Sequence, residues 1–308
     1  MTTFDLGPAL LFCPADRPDR YRKALDRADA VILDLEDAVA PDRKAAARDA
    51  LLAEPLDPAR TIVRVNAVGT PEHLADLAAL ARTAYRTVMV PKADERLPLG
   101  LGGLRVVALC ETAAGVLAAP ELARRPGVVA LMWGADDLVA SLGGTSSRFP
   151  DGGYRDVARA ARSAVLLAAG AAGVAAVDAV HLAIEDLDGL RDEALDAAAV
   201  GFAATACIHP SHVPVIRAAY APPRSAVDGA RTLLAAARGH DGVFVHDGVM
   251  IDGPSLRHAE AVLRRADAAG QADEAGAAGS ARTAGSFETP DTTGRTAPDA
   301  LRTGSRPT

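Results

Sequence analysis

The chain has 308 residues, of which 49% are hydrophobic, and its formal net charge is -7 at pH 7. This length allows one large domain or two ordinary ones with a sizeable core. The negative charge and the scattered lysines and arginines argue against a nucleic-acid surface, and no apolar run reaches the roughly 18 residues that a membrane span needs.

The cysteines and the N-terminal residues predict a cytoplasmic protein. The sequence starts without the basic segment and long apolar run of a signal peptide. Cys13, Cys110 and Cys207 are far apart, lie inside apolar runs and form no zinc-binding spacing with histidine. We expect buried free thiols, which are typical of a reducing compartment.

Strand-like and helix-like segments alternate along most of the chain. Apolar, β-branched runs predict strands at 9–14, 30–35, 61–66, 87–91, 105–110, 128–133, 174–178 and 204–209. Amphipathic stretches predict helices at 18–28, 41–53, 71–84, 156–172 and 190–200. The first three of these begin at a proline, which the first turn of a helix tolerates. Glycine and proline breaks in residues 93–104 predict that the helix after the fourth strand is shortened or lost.

This succession predicts an α/β protein with a (β/α)8 TIM barrel over residues 1–222. A doubly wound open sheet is the rival, and it is disfavoured because no G-x-G-x-x-G motif follows the first strand. Residues 223–269 are expected to form a C-terminal helical lid segment, with helices at 225–238 and 255–268 and a small hairpin between them. Residues 270–308 contain almost no large apolar side chains, which predicts a disordered tail.

Polar or ionisable residues follow every predicted strand. In chain order they are Asp16 and Arg17; Asp34, Glu36 and Asp37; Arg64 and Asn66; Lys92; Glu111; Asp136 and Asp137; Asp178; and His209. The strand ends of such a barrel meet at one rim, so we expect these side chains to converge. A sulfur-free site rich in carboxylates suits Mg2+ or Mn2+. A metal and an arginine around a carbonyl oxygen stabilise an enolate, which carbon–carbon bond cleavage beside a carbonyl requires.

Seven segments, in order and at matching spacing, resemble one known family. They read LFCPADRPDRYRKAL, ADAVILDLEDAVAPDRKAAAR, VRVNAVGTPEHLADL, VMVPKAD, ALCETAAGVLAAPELA, WGADDLVASLG and GFAATACIHPSHVPVIRAAYAP, and a C-terminal DGVMIDGPSLRHAEAVLRRA is similar to a lid segment. Over residues 8–268 the chain resembles the citrate lyase β-subunit-like family of CoA-ester lyases, within the HpcH/HpaI aldolase superfamily.

The resemblance implies a metal site and the residues around it. Glu111 and Asp137 match the ligands of Mg2+ (Mn2+ is the alternative), and Arg64 matches the arginine that grips the substrate and takes part in catalysis. Glu111 is counted among the substrate-binding residues as well. Glu36 and Asp37 are expected to orient Arg64 and metal-bound water. Glu36 is counted among the catalytic residues and Asp37 among the substrate-binding residues.

The resemblance also implies contacts farther from the metal. Asp252 matches a lid carboxylate that reaches a neighbouring subunit's site for acid–base catalysis, which implies a homo-oligomer, either a trimer or a hexamer. Arg17 and Lys23 fall in the first loop, where related enzymes contact the phosphates of CoA, and Asp178 falls at the substrate-binding edge of strand seven. CoA therefore enters as part of the substrate, and no nucleic acid or membrane partner is implied.

The implied reaction is retro-Claisen or retro-aldol cleavage of a 3-hydroxyacyl-CoA. The substrate would be of the malyl-CoA, citramalyl-CoA or citryl-CoA type, and the products acetyl-CoA, formed through its enolate, and a 2-oxo acid; the same site could run the reverse condensation. Two alternatives remain open: a metal-dependent aldolase acting on a free 2-oxo acid, and an accessory subunit of a citrate-lyase-like complex. Ala204 and Thr205 replace the Gly-Lys pair usual in the family, which puts part of the CoA contact in question.

Three single residues have competing interpretations. Lys92 is a candidate Schiff-base lysine, as in metal-free aldolases, but the metal pair argues against that role. His209 is either a structural or a catalytic residue of the rim. Asp252 is either the lid carboxylate or the cap of a helix that begins near Pro254.

Overall fold

The computed structural model describes residues 4–240 and 242–284, with side chains up to residue 270. Eight parallel strands close into a barrel in sequence order, β1 to β8. They are β1 (Ala9–Pro14), β2 (Ala30–Asp34), β3 (Thr61–Arg64), β4 (Thr87–Val90), β5 (Arg105–Cys110), β6 (Val128–Trp133), β7 (Ala175–Asp178) and β8 (Ala204–Cys207). The barrel closes where β1 pairs with β8, so the predicted (β/α)8 fold is confirmed.

Eight helices belong to the barrel in the described part of the chain. They are α1 (Pro18–Arg27), α2 (Lys44–Ala53), α3 (Pro71–Leu80), α4 (Ala113–Leu122), α5 (Ala135–Ser141), α6 (Asp156–Ala172), α7 (Leu187–Val200) and α8 (His212–Tyr220), with 3-10 turns at Pro41–Arg43 and Pro58–Arg60. The pattern did not predict α4, α5 and α8. Helix α4 carries a proline in its interior and α5 spans only seven residues, so neither has a clear amphipathic repeat.

The ring of helices has a gap between β4 and β5. Residues 91–104 form turns and contain no helix, as the sequence predicted. Leu97 and Leu101 are buried there and cover the outer face of the sheet in place of a helix.

Strand residues alternate between two apolar layers. Ile32 lies in the cluster inside the barrel, whereas Val31 and Leu33 lie in the cluster between strands and helices. Both faces of each strand are therefore buried, which explains why the strands appear as unbroken apolar runs in the sequence. By the same alternation the next inward residue of β2 is Asp34, at the carboxyl end of the strand.

Beyond the barrel lie α9 (Arg224–Ala237), a hairpin of β9 (Phe244–His246) and β10 (Val249–Ile251), and α10 (Gly253–Ala284). Asp247 and Gly248 both have positive φ, which is the backbone that a two-residue hairpin turn requires. The alanine-rich sequence, with its high helix propensity, lets α10 pass the predicted helix end at residue 268 and include residues 270–284 of the predicted tail. Residues 285–308 lie outside the described part. None of the described helices is long and apolar enough to cross a membrane.

Candidate active site

The ends of β2 and β3 are joined by a buried ion pair. Asp34 lies opposite Arg64 in the strand register. Arg64 donates from Nε to Oδ1 of Asp34 at 2.7 Å and from Nη2 to Oδ2 at 2.6 Å, a bidentate pair. Asp34 also accepts from the backbone N–H groups of Glu36 and Ala38, which turns the chain out of the strand. Burial disfavours the guanidinium charge, but the hydrogen bonds and charge of Asp34 outweigh it and raise the pKa of Arg64.

Glu36 lies buried between two cations. Its Oε1 accepts from Nζ of Lys92 at 2.5 Å, and its Oε2 lies 3.2 Å from Nη1 of Arg64 without forming a hydrogen bond. Burial raises the pKa of Glu36 even though both cations act against the shift. Nη1 of Arg64 therefore keeps donors that can reach into the neighbouring cavity.

Lys92 connects strand two to strand five. Its backbone is left-handed (φ 49°), and its N–H donates to Oε1 of Glu111 at 3.0 Å. Its Nζ lies 3.5 Å from Oδ2 of Asp37 and 3.9 Å from Oε1 of Glu111. Burial lowers the pKa of the amine, but the hydrogen bond to Glu36 and the nearby carboxylates outweigh it and raise the pKa. The amine stays protonated, which does not suit a Schiff-base nucleophile.

Glu111 is a buried carboxylate whose charge is poorly compensated. Burial, with the negative charges of Asp137 and Glu36, raises its pKa to about 8. It packs so tightly against Gly134 that a Cβ there would lie 2.9 Å from Cβ of Glu111 and 3.0 Å from its Oε2. A glycine is therefore required at residue 134, and Asp137 follows in the first turn of α5.

A cavity of about 230 Å3 lies at this end of the barrel. Its charged lining residues are Asp34, Arg64, Glu111, Asp136 and Asp137, whereas Glu36, Asp37 and Lys92 are not among the residues that line it. The other lining residues are Phe12, Ala38, Leu109, Met132, Trp133, Gly134, Ala135, Ala179, Val180, Leu182 and Ile208. A pocket lined by both charged and apolar side chains suits a small acidic molecule that carries an apolar part.

The donor set fits a hard divalent cation. Glu111 and Asp137 both line the cavity, and the raised pKa of Glu111 indicates a position where positive charge is missing. No cluster of three or more His, Cys, Asp or Glu suited to a metal occurs among the described residues. Two carboxylates are what Mg2+ commonly takes from a protein, with water and substrate oxygens completing its shell.

Other predicted site residues lie away from this cavity. Asp178 accepts from Nε1 of Trp133 at 2.5 Å and from Nη2 of Arg162 at 2.8 Å, so its carboxylate is occupied by protein donors. Arg17 is paired with Asp19 through two hydrogen bonds of 3.0 Å after β1.

Three further predicted residues are placed on the outside of the molecule or at a helix end. Lys23 is exposed on α1, and His209 is exposed and contacts the hydroxyl of Ser211 at 2.6 Å. Oδ1 of Asp252 accepts from the N–H and hydroxyl of Ser255 at the start of α10, which is the helix-capping arrangement.

The departure from the family pattern at strand eight does not face the cavity. Ala204 lies in the cluster inside the barrel, below the strand end. The hydroxyl of Thr205 is 2.9 Å from that of Tyr220 on α8, on the outer side of the strand. Neither residue lines the cavity, so the substitution affects packing there instead of the carboxylate site.

A buried polar network beneath Glu36 was missed by sequence reasoning. Nζ of Lys44 donates to the carbonyls of Leu35 and Glu36 and to Oδ1 of Asn66. Asn66 in turn donates to Asp76, which is completely buried and also accepts from Arg48. The available signal was Lys44 itself, one of three lysines in a chain whose other cationic residues are arginines.

Comparison with known proteins identifies the family. A model of the HpcH/HpaI aldolase/citrate lyase family matches residues 9–99 and 100–210, and the chain belongs to this family. The citrate lyase subunit beta-like protein of Mycobacterium tuberculosis is 56% identical over 264 residues, which cover 85% of this chain and 97% of that protein. A (3S)-malyl-CoA thioesterase of Cereibacter sphaeroides is 34% identical over 276 residues, covering 84% and 94% of the two chains.

A solved structure agrees with this assignment. The M. tuberculosis protein CitE in complex with magnesium, acetoacetate and coenzyme A superposes with a TM-score of 0.81 at 56% identity, covering 85% of this chain and 98% of that one. The predicted family, barrel fold and lyase class are thereby confirmed.

Proposed function

We propose that the protein is a Mg2+-dependent lyase that cleaves a 3-hydroxyacyl-CoA of the malyl-CoA, citramalyl-CoA or citryl-CoA type into acetyl-CoA and a 2-oxo acid. The observation that carries the proposal is the shared cavity of Glu111, Asp137 and Arg64. The relatives support the substrate class, because one is described with magnesium and coenzyme A and another is named for malyl-CoA.

Glu111 and Asp137 would hold the magnesium ion. When bound, Mg2+ supplies Lewis-acid polarisation of the substrate's hydroxyl and carboxylate oxygens. Arg64 contributes a fixed cation on the other side of the cavity, because Asp34 occupies its Nε and Nη2 and leaves Nη1 for the substrate. An oxygen that gains negative charge during cleavage is stabilised by such a preorganised donor.

The proton balance of the cleavage needs one base that returns its proton. The 3-hydroxyl gives its proton to a carboxylate, and the bond between the hydroxyl-bearing carbon and the α-carbon of the thioester breaks. The electron pair stays on the α-carbon as the enolate of acetyl-CoA, while the hydroxyl carbon becomes the carbonyl of the 2-oxo acid. The α-carbon then takes up the proton.

Asp252 of a neighbouring subunit is our candidate for this base. The hydrogen bonds from Ser255 lower the pKa of Asp252 and keep it a carboxylate at neutral pH; to act as a base it would exchange these bonds for contact with the substrate's hydroxyl. The hairpin before it exposes four apolar side chains, Val243, Val245, Val249 and Met250. An exposed apolar patch of this kind supports contact with another copy of the chain, in the trimer or hexamer that we propose.

The coenzyme would be held less tightly than the acid part of the substrate. Arg17 and Lys23 are the cations that we assign to the CoA phosphates, although Arg17 must then exchange its contact with Asp19 for a phosphate. Asp178 and Asp37 are proposed to act at the edge of the substrate site, Asp178 through the position of Trp133. The buried free thiols fit the cytoplasmic location that we propose.

The test is an assay of malyl-CoA, citramalyl-CoA and citryl-CoA with and without Mg2+. Formation of the 2-oxo acid together with acetyl-CoA would support the lyase. Release of free CoA thiol without acetyl-CoA would indicate a thioesterase, and turnover of free hydroxy acids alone would indicate the aldolase alternative. Activity that requires a second, different subunit would indicate the accessory-subunit alternative.

The role of Asp252 can be separated from helix capping. Asp252→Ser keeps a side chain that caps a helix but removes the carboxylate. We expect Asp252→Ser to lower kcat by about 100-fold or more, as loss of a general base does, while Mg2+ affinity and thermal stability stay near those of the wild type. A kcat within threefold of the wild-type value would contradict the assignment.

A further inference from the structure

The lysines of this chain are few, and two of them act on one short segment. Lys23, Lys44 and Lys92 are the only lysines among 33 basic residues, the rest being arginines. Lys44 and Lys92 both contact residues 35–37, the segment that leaves strand two and carries Glu36. Apart from Lys23, all other cationic side chains of the sequence are arginines. Two lysines that contact the same three-residue segment therefore indicate a requirement for a compact ammonium group there.

Lys44 holds the backbone of this segment. Its Nζ donates to the carbonyls of Leu35 at 2.9 Å and Glu36 at 3.0 Å, and to Oδ1 of Asn66 at 2.6 Å. These acceptors use all three N–H groups of the ammonium. A planar guanidinium directs its donors in one plane and does not reproduce this arrangement.

The backbone of Lys44 is held by its own helix. Lys44 directly follows the 3-10 turn Pro41–Arg43, and its N–H donates to the carbonyl of Pro41. A fixed backbone at the root of the side chain limits where the ammonium can lie, which here is within reach of all three acceptors.

Lys92 holds the side chain of the same segment and has an unusual backbone conformation. Its φ of 49° is a conformation that residues other than glycine rarely adopt. Its Nζ donates to Oε1 of Glu36 at 2.5 Å and lies 3.5 Å from Oδ2 of Asp37. Strained backbone of this kind concentrates at functional sites, where surrounding contacts maintain it.

We infer that Lys44 and Lys92 are positioning residues that hold Glu36, by its carbonyl and by its carboxylate, so that Nη1 of Arg64 stays available to the 2-oxo acid. The inference rests on the proposed function for the identity of the ligand. Glu36 is fixed at its N–H by Asp34, at its carbonyl by Lys44 and at Oε1 by Lys92. Released from either lysine, its carboxylate can swing onto the nearby guanidinium and compete with the substrate's carboxylate.

The experiment compares two binding constants in the full-length protein, that of Mg2+ alone and that of pyruvate in the presence of saturating Mg2+. Lys44→Met removes the ammonium from the backbone carbonyls. Lys92→Gly removes the side chain but keeps the backbone N–H that donates to Glu111. Glycine also adopts the left-handed backbone at this position without strain. For each variant we expect the affinity for pyruvate to fall about tenfold, as is typical of losing a charged hydrogen bond. The affinity for Mg2+ should fall by no more than twofold.

Arg60→Met is the matched control. Arg60 also donates to three backbone carbonyls, those of Leu25, Ala28 and Asp29, but at the opposite end of strand two. It should lower the thermal midpoint like Lys44→Met without changing pyruvate binding. Lys44→Arg should not restore pyruvate affinity, because the guanidinium cannot fill the three acceptor positions.

A double-mutant cycle tests whether Lys44 acts through Glu36. In a Glu36→Gln background, Lys44→Met should weaken pyruvate binding by less than twofold, since the group that it positions no longer competes as a charge. Additive effects would overturn the inference. So would unchanged pyruvate binding in both single variants, or parallel losses of Mg2+ and pyruvate binding.

Amide hydrogen exchange decides the question even if the wild-type protein binds no 2-oxo acid. In that event the proposed function fails, whereas faster exchange of residues 35–38 in Lys44→Met and Lys92→Gly, with Arg60→Met unchanged there, would still support the positioning role. Exchange at the wild-type rate in both lysine variants would overturn it.

Discussion

Two pairs of carboxylates lie in or beside the cavity, and they differ in how their charge is balanced. Asp34 and Glu36, at the end of strand two, each have a cation within hydrogen-bond distance. Glu111 follows strand five and has the ammonium of Lys92 at 3.9 Å, whereas Asp137, in the first turn of α5, forms no ion pair in the described part of the chain. Burial with poor compensation raises the pKa of Glu111 to about 8.

The comparison shows that local density of acidic residues does not locate a metal. The strand-two segment has three acids in four positions, yet its charges are satisfied by Arg64 and Lys92. The sparser pair, Glu111 and Asp137, is the one without a cation within hydrogen-bond distance among the described residues. Charge balance in three dimensions, more than the count of acids in the sequence, therefore supports our proposal that Glu111 and Asp137 hold the metal.

The largest expected effect is that of Glu111→Gln. If Glu111 is a direct ligand, as we propose, this change should weaken Mg2+ binding by more than the roughly 10- to 100-fold loss typical of mutating a ligand's partner, as titration calorimetry would measure. At pH 8 and without metal, the variant should unfold at the wild-type temperature or above, because an uncompensated buried charge is removed. A variant that keeps its Mg2+ affinity would refute the distinction between the two pairs.

Replacing an acid of the compensated pair by its amide should instead reduce stability more than it reduces Mg2+ affinity. Asp34→Asn removes the bidentate anion of the buried Arg64 and leaves it only the more weakly placed Glu36 at 3.2 Å, and breaking a buried ion pair costs about 3 kcal/mol. We expect a clear loss in the free energy of unfolding by urea denaturation, with Mg2+ affinity altered less than in Glu111→Gln. If Asp34→Asn is as stable as the wild type, the pair is not the anchor that its geometry indicates.

A smaller effect is expected from pH alone. The pKa of Glu111 rises from an ordinary 4.5 to about 8 in the folded protein. Stability from this group is therefore complete below its unfolded pKa and is lost as pH rises from about 4.5 to about 8, so metal-free protein should unfold at lower temperature at pH 8 than at pH 6.

The affinity for Mg2+ should also depend on the protonation of Glu111, but it should rise with pH where stability falls. The metal must displace the proton, so its affinity should increase by about tenfold per pH unit below 8, with proton release detectable by calorimetry in two buffers. A pH-independent affinity between pH 6 and pH 8 would show that Glu111 is already ionised in the free protein.

Much of this architecture could be predicted from the sequence, for identifiable reasons. Strands buried on both faces leave continuous apolar runs, so β1, β5 and β6 were predicted with their observed ends. Because strand ends converge in a barrel, the residues at the mouth could also be named. Helices without an amphipathic repeat, such as α4, left no comparable signal.

The partners of individual side chains could not be predicted in the same way. Asp178 was expected to face the substrate, but it is paired with Arg162, which lies on α6 in the middle of a helix. Nothing in the spacing of these two residues indicates that they meet. The contacts of Lys44 likewise join residues from strands two and three and depend on the folded backbone.

The turn at residues 91–104 has a consequence for the integrity of the chain. It replaces a helix, and Leu99 at its surface is 77% exposed, so a protease could cut the barrel there. Such a cut separates β1–β4 from β5–β8, two fragments of four strands each. Asp34, Arg64 and Lys92 would belong to one fragment, and Glu111 and Asp137 to the other. Mixing the fragments would then report on barrel assembly through recovery of Mg2+ binding, since the hydrogen bond from Lys92 to Glu111 forms only when the halves rejoin.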